Sequence, residues 1–442
     1  DAASLEDVVL ESLKSDNISL ANCRSQCYDN AAVMTGHISG LQQRICARNP
    51  KALFVNCDNH SLNLAGVHSA KQDAVVVTFF GTVESIYSFF SRSTLRWHKL
   101  KEVMPLTVKP ESETRWSARS EAVKAIYEGL EELVELLESM SEDLSMSAET
   151  RSDAAQLLSS VLNFDFIVLL EFWNTILGKI DRIQRRLQDS TMNFREAATD
   201  LECLKQELIE IPSDLSENAV KSAKAKCSAW GIEIERRTRR RKKMFEEQAV
   251  DAGLRAEEEI TRVMKSVIDH LHNEISIRFL RLKDLDTKFG FLLDMKTLLS
   301  GTDAANLHES CINFGLFYDT DVNGEELITE IEDCKMLLRT RIKNFPSTPV
   351  DLLEFIVAYG DDVFPNLRIS LQILLTVAVS IASCERSFSK LKLILSYLRA
   401  SMGQERLSDL ALLSIERENF EKINFDDVID QFATVKSRKI YL

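Results

Sequence analysis

The sequence predicts a mainly helical α/β protein, with short strands near its beginning and helices from residue 74 onward. Three observations carry that reading. Glycine and proline are scarce, 14 and 7 in 442 residues, so few positions interrupt a helix. Apolar residues recur at helical spacing, three and four apart, over most of the chain. Strand signals are confined to residues 23–28, where side chains alternate, and to the short apolar run Ala52–Asn56.

Composition bounds the class. Hydrophobic residues make up 45% and charged residues 28%, the balance of a soluble globular chain with room for more than one domain. No run of about 18 uncharged apolar residues is present, so no membrane span is expected. The chain starts at Asp1 without a basic segment and apolar core of a signal peptide. The missing initiator Met suggests a fragment. The 9 cysteines are scattered without a repeated C-x-x-C pair, which suits free thiols in a reducing compartment. A formal charge of −14 argues against coating nucleic acid over the whole surface. It leaves room for a local basic groove.

Residues 4–14 form a short amphipathic helix, with Ser4 as candidate N-cap and Asp7 three positions on. The stretch 23–28 places Cys23, Ser25 and Cys27 on one side and Arg24, Gln26 and Tyr28 on the other. Asp29 and Asn30 follow, and helical sequence resumes at Ala31. An Asp at the C-terminal end of a strand is where α/β folds place working carboxylates. It equally suits a helix cap, and the local sequence leaves both open. Pro50 ends this helical region. After Ala52–Asn56 come Cys57, Asp58, Asn59 and His60. A C-x-x-H pair supplies only half of a closed zinc site, and no second pair stands at suitable spacing. No zinc is therefore expected, and Cys57 and His60 read as a structural motif at a strand-to-helix junction.

From Ala74, the residues Val75, Val76, Phe79, Phe80, Val83, Ile86, Tyr87 and Phe90 make a wide apolar stripe. Residues 92–110 read as a polar, basic connection. Arg115 and Trp116 follow; an exposed Trp beside Arg stacks on a base, whereas a buried one anchors a helix. Strong helical periodicity fills 118–140, and further helices are expected over about 151–188, 194–211, 250–283 and 325–344. The run Glu235–Lys243 is basic at every position except Glu235 and Thr238, and includes Arg239, Arg240, Arg241 and Lys242. It reads as a nuclear-import signal, a phosphate-contacting loop, or a solvated loop with neither role. Phe345–Pro349 is the clearest hinge.

The chain is organised around residues 371–416. Placed on one continuous helix, Leu371, Leu374, Leu375, Ala378, Val379 and Ala382 share a side, and Glu385 falls within that apolar arc. A carboxylate there needs a cation, a metal or a proton, and Arg386 is the nearest cation in sequence. Beyond it, Leu391, Ile394, Leu395, Leu398, Leu407, Leu410 and Leu413 offer more apolar surface than a small core requires, as a partner-binding surface does. The alternative is that they pack on the chain's own helices. Residues 419–442 read as short helical turns and a mobile end.

Ser383–Ser389, Leu391-Lys392, Arg406-Leu407 and Leu410–Leu412 closely resemble the C-terminal region of hAT-family transposases. The likeness is greatest to the branch that includes the zinc finger MYM-type and related domesticated proteins. Gln26–Ala32 resembles the segment bearing the second acid of that family's catalytic triad, Cys57–Leu64 its C-x-x-H motif, and Arg115-Trp116 the start of its helical insertion. The resemblance implies a partial ribonuclease-H-like core over 1–70, a long all-α insertion over 71–345, and a C-terminal dimerisation region over 346–442 that completes the core. It also implies cut-and-paste DNA transposition, in which carboxylates hold a pair of Mg²⁺ ions. Asp29 and Glu385 match the second and third acids. The first acid lies on an upstream strand that nothing here matches, and the family's N-terminal zinc-finger module is missing too.

On this reading Arg115, Trp116, Arg239, Arg240, Arg241 and Lys242 are candidate nucleic-acid contacts. Leu391, Leu398, Leu407 and Leu410 are candidate dimer contacts. The expectation that ranks first is a nuclear, transposase-derived protein that self-associates, acts on or near DNA, and lacks complete nuclease chemistry. A fragment of an active Mg²⁺-dependent transposase comes second, and a purely structural helical scaffold third. A homodimer is expected and DNA is a possible partner; a membrane and a small-molecule substrate are not. Mg²⁺ is expected only where the catalytic site is complete.

Overall fold

The computed structural model describes residues 1–110, 116–189, 191–210, 212–234, 255–300, 304–341, 346–360, 362–396 and 401–435. The chain divides into two compact units, Asp1–Ser380 and Ile381–Leu442. The segments expected as 1–70 and 71–345 therefore lie within the first unit, and the division falls after Ser380.

The first unit opens with α1 (Ala2–Ser15), capped by Asp1, whose Oδ1 accepts the Ser4 N–H at 2.9 Å. The cap is thus Asp1 and not Ser4. Glu6 pins α1 to α3 (Leu41–Arg48) through Arg44 and Arg48, at 2.8 and 2.6 Å, and these cations hold its carboxyl below the usual range. Between them run β1 (Ser25–Tyr28) and α2 (Ala32–Thr35); β2 (Leu53–Asn56) and α4 (Asp58–Ala70) follow. β1 and β2 pair in parallel, with Ser25 opposite Leu53 and Tyr28 opposite Asn56.

A two-stranded parallel sheet does not stand alone in water, and helices from far along the chain clamp this one. At its start, the Arg24 guanidinium grips both carboxylate oxygens of Asp321 at 2.5 and 2.8 Å, and Lys51 reaches Asp319 at 2.5 Å. At its end, the Asp58 N–H donates to the Val379 carbonyl at 3.0 Å.

Helices α5 (Ala74–Ser91), α6 (Thr94–Val103), α7 (Trp116–Glu128), α8 (Leu130–Glu142) and α9 (Ala148–Val161) lead to α10 (Phe164–Leu187). The stretch 92–110 is thus helical over its centre and not a plain connection. The expected 151–188 helix is two helices, parted near Asn163, whose side chain caps α10 through the Asp165 N–H at 2.9 Å. α10 is buried on several sides, with Phe166, Ile167, Leu169, Phe172, Trp173 and Ile176 all in the core, and α4, α5, α7, α11 (Phe194–Glu210) and α12 (Pro212–Ala229) pack around it. By length and composition α5 is apolar enough to cross a membrane, but Val76, Phe79, Phe80, Val83, Ile86 and Phe90 bury its apolar side in this core.

Next come α13 (Ala256–Arg278), α14 (Leu280–Leu293), α15 (Met295–Ser300), α16 (Ala304–Phe317), α17 (Gly324–Arg341), α18 (Pro349–Tyr359) and α19 (Pro365–Thr376). The expected helix over 250–283 is again two, α13 and α14. α13 packs along α4 and so joins the N-terminal strands to the helical body. Glu330 on α17 accepts the Asn366 and Leu367 N–H groups at the start of α19, at 3.2 and 2.8 Å, satisfying donors that a helix start leaves open.

The continuous helix expected through Glu385 is interrupted. α19 ends at Thr376, and α20 (Ala382–Ile394), in the second unit, begins after a non-helical stretch. Val377, Val379 and Ile381 are β-branched and stiff at χ1, and the Val379 carbonyl is taken by Asp58. In the second unit α20 packs on α21 (Gln404–Ile415), followed by α22 (Arg417–Phe420) and α23 (Asp426–Val435).

Candidate functional site

The strand ends carry the residues that the sequence singles out. Asp29 follows β1 directly and is half-buried; its Oδ1 accepts the Ala31 N–H at 3.0 Å, closing the turn into α2. Beside it, Asn30 Nδ2 donates to Ser61 Oγ at 3.1 Å, which ties the β1 end to α4. Buried Cys57 is the N-cap of α4, and its Sγ accepts the His60 N–H at 3.4 Å. The C-x-x-H spacing is thus the spacing of a helix cap, one turn from cap residue to donor.

The carboxylate the sequence reading passed over is Asp58. It is 0% exposed, and its Oδ1 accepts from Arg281 Nη2 at 3.1 Å. The same Nη2 donates to the Asn56 carbonyl at 3.0 Å, so one guanidinium from α14 closes the end of β2. Burial pushes the Asp58 carboxyl up to about 6, and the Arg281 charge only partly draws it back. Asp58 Oδ2, Asn56 Oδ1 and Asn59 Oδ1 are buried without a hydrogen-bond partner among the described residues. Ordered water is the usual occupant of such positions. The available signal for Asp58 is its place at a strand end; its partner lies 223 residues away, which no local pattern reveals.

The other site residues distribute as follows. Trp116 is 1% exposed, and its ring meets Trp173 at 5.5 Å and Phe80 at 6.4 Å between centroids. A Cβ on Gly66 would come within 2.4 Å of that ring, so the indole lies directly on the α4 backbone. The Trp116 backbone N–H donates to Asn63 Oδ1 at 2.9 Å, which also accepts from Gln184 at 2.5 Å. The exposed base-stacking Trp is therefore replaced by its alternative, a buried anchor. Arg115, Arg239, Arg240, Arg241, Lys242 and Leu398 lie outside the described residues.

Glu385 sits half-exposed in the first turn of α20 and not within an apolar arc, because the helix that would have carried that arc is broken. A helix's first turn favours an anion. A Mg²⁺ pair requires converging oxygen ligands. Asp29 and Glu385 belong to different units, and no three His, Cys, Asp or Glu side chains cluster to hold a metal among the described residues.

The second unit has almost no interior. Ala382 is its one buried residue among those described. Leu391, Leu407 and Leu410 are half-buried, consistent with the packing of α20 on α21, and Lys390 Nζ closes that pair by donating to the Ser414 and Ile415 carbonyls at 2.8 and 3.3 Å. Phe388 is 69% exposed and Leu393 80%; Leu395, Leu412 and Leu413 are exposed as well.

Residues 330–418 match the family model described as the hAT family C-terminal dimerisation region. Over 96% of its length the chain is 23% identical to the human protein "52 kDa repressor of the inhibitor of the protein kinase", of which it covers 56%. The mouse protein of the same description is 22% identical over 96% of the chain, with 57% of that protein covered. The chain thus spans little more than half the length of the curated relatives it matches.

Proposed function

We propose, for a chain that carries a hAT-type C-terminal dimerisation region, that its activity is self-association in a transposase-derived assembly working on or near DNA in the nucleus. The observation that carries this is the second unit, whose residues up to 418 fall in the matched dimerisation region and whose described helices bury almost nothing and expose Phe388, Leu393, Leu395, Leu412 and Leu413. Surface of that kind in one contiguous unit is the usual mark of an interface, and twofold pairing is the commonest arrangement for identical chains. Sedimentation of residues 1–442 tests it. A dimer at micromolar concentration is expected, and a monomer there would overturn the reading.

The strand order β1, α2–α3, β2, α4, with Asp29 after β1, supports half of a ribonuclease-H-like core. On this reading Asp29 and Glu385 are the acids that would approach one another to hold Mg²⁺, and a metal ion would supply Lewis-acid activation of water there. The chain offers two of the three matched acids, so it is expected to cleave no DNA by itself. Metal-dependent nicking by residues 1–442, abolished by Glu385→Gln, would show the active-transposase alternative to be right. The basic run at 236–243 is the candidate DNA contact, to be tested by a salt-dependent binding loss on replacing Arg239, Arg240 and Arg241 with Ala.

The relatives' description concerns repression of a kinase inhibitor, a role compatible with protein contacts alone. The buried Trp116 favours this scaffold alternative for the helical body, because an enclosed indole offers nucleic acid no stacking face.

A further inference from the structure

The matched dimerisation region crosses the division between the two units, and its residues 330–380 belong to the first. The helices there meet solvent differently. α17 turns Glu332, Asp333 and Arg339 outward, the ordinary polar side of a surface helix. α8, far from this region, does the same with Glu131, Glu132, Glu135 and Glu138. α18 does not. Its 11 residues hold two charged side chains, Asp351 and Glu354, and no Lys, Arg or His. Asp351 closes the capping box, with Oδ2 accepting the Thr348 N–H at 2.9 Å and its own N–H donating to Thr348 Oγ1 at 3.1 Å. Glu354 is therefore the one charge beyond the cap.

On a helical wheel, apolar and aromatic residues of α18 run from Phe355 through Leu352, Ile356, Leu353 and Val357 to Val350, an arc of about 220°. A surface helix needs a stripe of roughly 100° to meet one core. Leu352 and Ile356 supply that stripe at 0% exposure. Val350 and Val357 remain 45% and 46% exposed, with Leu353 half-buried between them. These three stand three and four positions apart, the seam spacing of a helix that packs on another element.

We propose that the Val350–Leu353–Val357 face of α18 is a contact between two copies of this chain, an anchor of the dimer that lies in the first unit. This rests on the self-association reading and deepens it by naming a surface. The occupant follows from what the face carries and where it sits. Without a cation on the helix, it offers nothing to phosphates or to an anionic membrane. It lies inside the region matched as a dimerisation region, in which identical chains meet. The face is also rigid, because α18 is capped at its start and packed on α19. A preorganised surface loses little freedom on binding.

The experiment is sedimentation of residues 1–442 carrying Val350→Asp or Val357→Lys. An anion in the first turn and a cation in the last suit the helix, so circular dichroism and urea unfolding at monomeric concentrations should be unchanged. Each variant should dimerise at least about tenfold more weakly than the unsubstituted chain, because a few central apolar side chains dominate interface energy. Val77→Asp is the control: Val77 is as exposed, at 50%, but lies on α5 outside the matched region, and its variant should dimerise normally. Unchanged dimerisation of both α18 variants would overturn the proposal and leave self-association standing. Equal weakening by Val77→Asp, or a loss of monomer stability in place of a loss of dimer, would overturn it too. A monomeric unsubstituted chain would instead remove self-association itself, and this contact with it.

Discussion

Trp116 in the first unit is 1% exposed and presses on Gly66, Trp173 and Phe80, whereas Phe388 in the second is 69% exposed. Both are large aromatics carried on helices, Trp116 opening α7 and Phe388 in the middle of α20. What differs is what the surrounding chain supplies. The first unit wraps α10 from several sides, so that aromatic surface finds partners within the unit. The second offers an α20–α21 pair and short terminal helices, too little to enclose its own apolar residues. The first unit's large aromatics hold one fold together, whereas Phe388 in the second stays exposed.

Substitutions separate the two regimes. Trp116→Ala should cost about 3–5 kcal/mol in urea unfolding at neutral pH, because a large indole leaves a cavity that α4 and α10 cannot close. A loss below about 1 kcal/mol would mean that the first unit is as open as the second. Arg281→Ala should cost about 3 kcal/mol at pH 7.5 by leaving Asp58 buried and unpaired, and distinctly less at pH 5, where Asp58 can be neutral.

Asp58→Asn tests the same pair from the other side. The folded carboxyl titrates at about 6, above its ordinary 3.8. Neutral Asp58 therefore contributes stability that is fully present below the ordinary value and is lost as pH rises through 6. The Asn variant should equal or exceed the unsubstituted protein at pH 7.5, by no more than about 3 kcal/mol, and the difference should close as pH falls below 6. A variant that is less stable at pH 7.5 than at pH 5, relative to the unsubstituted protein, would reverse the sign and show that the Arg281 pairing outweighs burial. The smallest effect belongs to the second unit: Phe388→Asp should change unfolding free energy by less than about 0.5 kcal/mol, measured at protein concentrations where the chain is monomeric.

Much of the architecture was legible because periodicity reports burial. The stripe from Val75 to Phe90 became α5, and the alternation at 23–28 and the run Ala52–Asn56 became the paired strands. Helix ends were less legible. Phe279 parts α13 from α14 without a Pro or Gly to announce it, and the run from Val377 to Ile381 reads as apolar helix until its carbonyl is seen to serve Asp58. The site was legible only where it is local. Cys57 and His60 lie one turn apart and could be placed at a strand-to-helix junction. The exposure of Trp116 could not be read, since it depends on Gly66 and Trp173 meeting it from elsewhere in the sequence.

The clamping of the two strands has a consequence for how the protein is made. Arg24 waits for Asp321, Lys51 for Asp319, and Asp58 for both Arg281 and the Val379 carbonyl. A ribosome delivers β1 and β2 early, yet the groups that fix them emerge only when most of the first unit has been synthesised. Pairings so distant in sequence are slow to close, and strand edges left open meanwhile invite association with other nascent chains. A chain halted before Arg281 would hold Asp58 with no cation, and it should depend on chaperones in a way that the released protein does not.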